Sequence, residues 1–410
     1  MFIKRIIMKS FLIAVQVFYF FVIIFISEST KAQTAYVSNT GDNTVSIINV
    51  AISILKATIP VNSSPGCVAV NPSGSKVYIS CAGANTINII NTSSNTVSNT
   101  INVGSNPRGL SVSPDGSKVY VANYLGNTVS VINSLTNAVS TTISVGSYPT
   151  GVSVSPDGSK VYVGNYGSNT ISVINSFTNT VTNTISVGNE PFGISVSPDG
   201  SKVYVANYGS STVNVINTAT NSVSDTINVG IGPEGLSMSP DGDKVYVANY
   251  TGNSVSIINT ATNNVLKTIT VGNNPIGISV SPDGSEIYTA NSNSSSVSVI
   301  SSNTNTVTGT INVGSHPVAF GNFISTYPNN GIDSPSTNSQ SISIYLNPVL
   351  ENLQVQSLLQ IKDIEITDIT GRLLCATTGN SINCNSLAKG IHLVWVNTER
   401  GIVVKKFIKE

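Results

Sequence analysis

Few residues of this chain could do chemistry. It has 2 His in 410 residues, His316 and His392, and 4 Cys, Cys67, Cys81, Cys375 and Cys384. A nucleophilic triad needs Ser, His and a carboxylate together, and a metal site needs several His or Cys at short spacing. Neither pattern occurs, so no catalytic residue, metal or cofactor is expected. Asp115, Asp157, Asp199, Asp241 and Asp283 recur, but each sits in a Pro-Asp-Gly turn, where a side-chain hydrogen bond to the backbone explains it. Ser111, Ser153, Ser195, Ser237 and Ser279 also recur, and small residues are expected wherever strands crowd an axis. The candidates that remain are aromatics with a few charges: Arg108, Tyr124, Tyr148, Tyr166, Glu190, Phe192, Tyr208, Glu234 and Tyr250. Such a set suits recognition of a protein or glycan.

These residues are positioned by a repeat. Tyr36, Tyr78, Tyr120, Tyr162, Tyr204, Tyr246 and Tyr288 recur without a gap every 42 residues. In one unit, Gly109–Pro114, Lys118–Asn123, Thr128–Asn133 and Ala138–Val145 alternate apolar and polar residues between Gly/Pro/Asn clusters, as four strands do. A period near 40 with four strands is a propeller-blade pattern. The chain enters at the second-strand Tyr36, and Val318–Phe323 is predicted to supply the missing first strand. Residues 34–325 therefore read as a seven-bladed β-propeller whose two ends close one blade, leaving no open sheet edge. The strands are nearly identical between units, but the loop before each first strand varies: SNPRG, SYPTG, NEPFG, IGPEG, NNPIG, SHPVA, SSPGC. The loop between second and third strands emerges at the same end and carries Tyr124, Tyr166, Tyr208 and Tyr250. One sector of one face is thus expected to gather the candidates. The alternative is that the tyrosines merely pack on neighbouring loops.

Lys+Arg and Asp+Glu are both 19, and charged residues are 9%, against about a quarter in typical domains. That excludes a strongly basic nucleic-acid binder and a charge-rich disordered chain. Residues 1–33 carry Lys4, Arg5 and Lys9, then an uncharged apolar run, then a small-residue site at Thr30 and Ala32. This is the layout of a secretory signal peptide, and no transmembrane segment is expected after its cleavage. Cys67 with Cys81, and Cys375 with Cys384, each flank a predicted hairpin. Each pair is a candidate disulfide in an oxidising compartment, with buried free thiols as the alternative.

Thr326–Gln340 breaks the period as a Pro/Asn/Ser linker. Residues 341–410 are richer in charge and read as short strands of a small β-sandwich. Tyr345-Leu346-Asn347-Pro348, then Asp368 to Gly371-Arg372, then Leu387 to Gly390, and Lys405-Lys406-Phe407 occur in that order. These motifs resemble the C-terminal sorting domain of the type IX secretion system of Bacteroidetes. Leu346 and His392 stand where that family usually has Pro and Tyr. The resemblance implies the type IX machinery as a partner, and export to the outer-membrane surface or the medium. The repeats, through PxG…SPDGxxxYVxN…TVSVIN, resemble the YVTN family of secreted and surface propellers. That resemblance speaks for fold rather than function. Three functions stay open: a non-enzymatic binding or adhesion module, a lyase or hydrolase using His316 with Glu190 or Glu234, and a structural surface-layer component. Asp225-Thr226-Ile227 additionally resembles a Bacteroidetes O-glycosylation motif.

Overall fold

The computed structural model describes residues 33–325, 342–345, 351–357, 360–368, 372–398 and 401–409. The predicted signal peptide and the 326–340 linker fall almost wholly outside them, as do Asn347, Pro348 and Gly371. Contacts divide the chain into two compact units, one ending at Gly331 and one running from Ile332.

The first unit is a ring of seven four-stranded antiparallel sheets. Blade 3 shows how a unit forms, with strands Pro107–Val112, Lys118–Asn123, Thr128–Asn133 and Ala138–Ser144. The first hairpin closes on Ser113-Pro114-Asp115-Gly116-Ser117. Gly116 takes φ +73°, a region open to glycine. Asp115 Oδ1 accepts from Ser117 N at 3.0 Å, and Ser113 Oγ accepts from Lys118 N at 2.9 Å. The recurrent aspartate is thus a turn residue. Its carboxyl is held down to about 2, chiefly by the hydrogen bonds from Ser113 and Ser117.

The core lies between blades. Tyr120, Val129 and Val131 pack with Val161, Val163 and Ile174 of the next blade. All seven repeat tyrosines are at most 1% exposed. Lysine adds a second link at five joints. Lys76, Lys118, Lys160, Lys202 and Lys244 donate through Nζ to carbonyls 58 residues on, those of Ser134, Ser176, Thr218, Thr260 and Ser302, at 2.6–3.2 Å. At blade 7 the lysine position is Glu286. Its carboxylate accepts from Tyr288 Oη at 2.6 Å, which also contacts the Val50 carbonyl at 3.1 Å across the closing joint.

Both ends build blade 1. Pro317–Val318 pairs with Ser38 and Asn39. The predicted closing strand Val318–Phe323 is broken there: pairing resumes only at Ala35 with Ile324. Between them the backbone leaves the sheet at Gly321, φ +86°. The Phe320 and Asn322 carbonyls accept from Val68 and Val70 of blade 2, while the Phe323 carbonyl accepts from Tyr36. The closing segment therefore joins two blades.

The second unit has a three-stranded sheet (Ile342–Tyr345, Asn352–Ser357, Ser381–Asn383). It also has a four-stranded sheet ordered Leu373–Thr377, Ile361–Thr367, Gly390–Thr398, Gly401–Lys409. Leu353, Val355, Ile364, Ile366, Ile382, Val394 and Val396 form one core, as expected of a small sandwich. Lys405 and Lys406 lie in the terminal strand and Gly390 opens the one before it. Asp368 and Arg372 are joined twice at 3.1 Å, through Arg372 N and Nε.

Neither cysteine pair is bonded. Pro65 faces Cys81 and Val68 faces Ile79, so Gly66 and Cys67 together oppose Ser80. This bulge, which simple hairpin counting omits, turns Cys67 away from Cys81. Its thiol lies 3.1 Å from the Phe320 carbonyl, whereas Cys81 Sγ contacts Asn88 Oδ1 at 3.5 Å. Cys375 packs against the tail core that contains Cys384.

Candidate ligand-binding face

The same bulge recurs in the first strand of blades 2 to 7, between the proline and the residue three on. Bulges re-aim side chains, and this one presents the residue after each proline to the ring axis. Gly66, Arg108, Thr150, Phe192, Glu234, Ile276 and Val318 all line one cavity of ≈ 370 Å³ at the axis. Five of the next residues, Gly109, Gly151, Gly193, Gly235 and Gly277, are glycines because blades approach closely there. A Cβ on Gly193 would lie 2.3 Å from the Glu234 carbonyl, and one on Gly151 2.2 Å from that of Phe192.

The loops before the first strand and after the second are tied within each blade. Tyr124, Tyr166, Tyr208 and Tyr250 donate backbone N–H to the carbonyls of Asn106, Tyr148, Glu190 and Gly232 at 2.8–3.1 Å. The residue before each of these prolines is left-handed, including Tyr148 at φ +53° and Glu190 at +57°. That conformation is uncommon for such side chains. It is held by an Asn from the preceding blade: Asn127 Oδ1 accepts from Tyr148 N at 2.9 Å, and Asn169 Oδ1 from Glu190 N at 2.8 Å.

The nine predicted site residues fall into two groups. Arg108, Phe192, Glu234 and Tyr250 line the cavity. Tyr124, Tyr148, Tyr166, Glu190 and Tyr208 stand outside it in an aromatic belt. Tyr148 stacks on Tyr124 with centroids 5.0 Å apart, Tyr124 meets Tyr166 at 6.4 Å, and Tyr166 meets Phe192 edge-on at 6.2 Å. Tyr208 and Tyr250 form a second pair at 6.4 Å. The Arg108 guanidinium lies 4.1 Å over the Tyr124 ring. Burial, then a hydrogen bond to the Glu190 carboxylate, pushes the Tyr166 hydroxyl up to about 12.

Sequence reasoning missed Phe320. It stacks on Phe192 with centroids 4.9 Å apart, linking blades 1 and 5 at the axis. Its signal was present: Phe320-Gly321 stands where five of the other six units have an aliphatic residue and Ser, and the sixth has Val68-Ala69.

Glu234 is the most perturbed carboxyl of the face. It is 9% exposed, and its ring neighbours in adjacent blades are Phe192 and Ile276. Burial raises it to about 8, opposed by the Arg108 charge. Thr150 is satisfied internally, donating to the Pro191 carbonyl at 2.9 Å. His316 is exposed and pairs with Ser315 Oγ at 2.8 Å. It does not join the residues that line the cavity with Glu234. A second space, ≈ 640 Å³, is lined by Ser111, Ser153, Ser195, Ser237 and repeat prolines, with no ionisable side chain.

The family model described as a lactonase, seven-bladed β-propeller, matches residues 25–138 and 220–322, together more than half of the chain. A YNCE-like β-propeller model matches residues 110–199 and 158–244. Residues 343–410 match the secretion system C-terminal sorting domain, the tail of proteins exported to the cell surface or extracellular space. Comparison with curated proteins finds no match. Among solved structures, hydrazine synthase of Kuenenia stuttgartiensis is 22% identical at TM-score 0.61, over 66% of this chain and 92% of that one. A functionally unknown protein of Desulfotomaculum acetoxidans is 16% identical at TM-score 0.62, over 71% of this chain and 100% of that one. A Bacteroides uniformis protein provisionally described as a 6-phosphogluconolactonase is 17% identical at TM-score 0.61, over 70% and 98%. At such identities the likeness is one of fold. The chain belongs to the lactonase-type seven-bladed β-propeller family, and it ends in a secretion-system sorting domain that directs it out of the cell.

Proposed function

We propose that this exported propeller is a non-enzymatic binding module whose ligand enters the cavity framed by Arg108, Phe192, Glu234, Tyr250 and Phe320. One observation carries the reading. The scaffold strands barely vary, yet the seven post-proline residues that meet at the axis all differ. The cavity of ≈ 370 Å³ falls within the range of about 300–1,000 Å³ usual for ligand sites. It accommodates a small molecule or one residue of a larger protein or glycan. The test is an array of glycans and matrix proteins probed with the protein and with its Arg108→Ala/Phe192→Ala/Glu234→Ala variant. A ligand bound by the first and lost by the second supports the reading; binding that survives in the variant moves the site elsewhere.

A hydrolase is the second reading, supported by the family match and by Glu234. A carboxyl held near 8 lies in the range useful to a general acid or base, with Arg108 available to stabilise an oxyanion. Turnover of lactones that is lost in Glu234→Gln would favour this reading over simple binding.

A further inference from the structure

We infer that the group this cavity recognises is an organic ammonium, received by the Glu234 carboxylate between the aromatic residues of the lining. The inference rests on the ligand-site reading above and names the chemistry of the ligand.

The argument begins with an unmet need. Glu234 is nine-tenths buried, lines the cavity, and its side chain makes no hydrogen bond among the described residues. Arg108, the cation of the same lining, is no ion-pair partner: among the described residues the ion pair within 4.0 Å is Arg372–Asp368. Arg108 is instead spread over Tyr124, with Nε 3.4 Å from Asn106 Oδ1. A buried carboxylate without a partner is costly, and a cation restores what desolvation removes. Phe192, Tyr250 and Phe320 line the same space, and aromatic faces attract cations. The remaining lining is largely apolar, including Leu110, Ile194 and Ile278, which suits a short hydrocarbon body behind the charged group. The carboxyl ionises as the ammonium enters, and the Arg108 charge that also reaches it is drawn over the Tyr124 ring.

The site also predicts a proton. With its carboxyl raised to about 8, Glu234 is mostly protonated at pH 7, and ammonium capture expels that proton. The other ionisable groups of the lining are Arg108, Tyr250, raised above its ordinary value by burial, and Cys67, pushed up by burial to about 12. Neither Tyr250 nor Cys67, both raised, titrates between pH 6 and 8.

Calorimetry with the purified protein tests this, using phenethylammonium and its neutral analogue 2-phenylethanol at pH 6 and pH 8. Expected is binding of the amine about tenfold or more tighter than the alcohol, stronger at pH 8 than at pH 6. It should be accompanied by proton release and lost in Glu234→Gln, with that variant's thermal transition confirming its fold. Binding of N-acetyl-lysine amide as tightly as the free amine would support the inference with a protein side chain as the source. Binding of the free amine alone would support it with a small molecule. Equal affinity for amine and alcohol, or a Glu234→Gln variant that still binds the amine, would overturn the ammonium while leaving a ligand cavity in place. Absence of both ligands at millimolar concentration would overturn it too, and the array experiment then judges the cavity separately.

Discussion

Replacing Glu234 by Gln removes the most perturbed carboxyl of the face, and its effect on stability follows from linkage. The carboxyl titrates near 4.5 when unfolded and near 8 in the folded protein, where burial disfavours its charge. Below pH 4.5 both states hold the proton and Glu234 adds no pH dependence. As the pH rises towards 8, the unfolded state releases a proton that the folded state keeps, so stability falls. Above 8 both are ionised and the loss is complete. At about 1.4 kcal/mol per pH unit, the interval sets a ceiling of about 5 kcal/mol on the stability lost between pH 4.5 and 8. Gln fills the same space and does not titrate. Urea unfolding at half-unit steps from pH 5 to 8.5 should therefore show a midpoint that falls with pH in the native protein and falls much less in Glu234→Gln, at unchanged m-value. Parallel pH profiles in the two proteins would refute the burial argument, since the slope would then belong to other groups.

Other outcomes follow from packing and from the turns. Gly193→Ala places a Cβ 2.3 Å from the Glu234 carbonyl and should destabilise the ring by about 1–3 kcal/mol. Gly66→Ala, with Ser80 Oγ at 3.6 Å, should be tolerated, and thermal melts of the two variants compare them. Lys202→Met keeps the apolar stem but loses the 3.0 Å bond to the Thr260 carbonyl of the neighbouring blade. A loss of about 1.5–3 kcal/mol in chemical denaturation is expected. The carboxyls of Asp115, Asp157 and Asp199 sit near 2 because serine side chains and backbone N–H groups donate to them. Their contribution is present above pH 4 and lost as pH falls towards 2, so Asp157→Asn should flatten the acid limb of the unfolding curve. All four thiols of the unreduced, denatured protein should alkylate; a mass two daltons short across Cys67 and Cys81 would contradict their separation.

The fold was legible because the repeat overdetermines it. Seven tyrosines at one spacing, a Pro-Asp-Gly turn and an entry point inside a blade specify blade number, strand order and closure together. The face was legible for a related reason. Against identical strands, the change from Arg108 to Thr150 to Phe192 to Glu234 stands out, and these side chains share one lining. Two features escaped. The first-strand bulge inserts a residue, and period-two counting therefore set Cys67 opposite Cys81 when Pro65 holds that place. The closing segment departs from the repeat at Phe320-Gly321, where positive φ carries the chain out of the sheet and seats an aromatic ring against Phe192. Periodicity reports what units share, and Phe320 belongs to the one unit that must also join two chain ends. Which of the predicted tyrosines line the cavity and which pack on one another was equally invisible, since that depends on ring contacts such as Tyr124–Tyr148.

The most direct measurement is hydrogen–deuterium exchange of the protein with and without the ligand captured on the array. The account predicts added protection in the segments that carry Arg108, Phe192, Glu234 and Phe320, with the Pro-Asp-Gly turns unchanged. Protection confined to those turns, or to the outermost strands of the blades, would contradict a ligand site at the axial cavity.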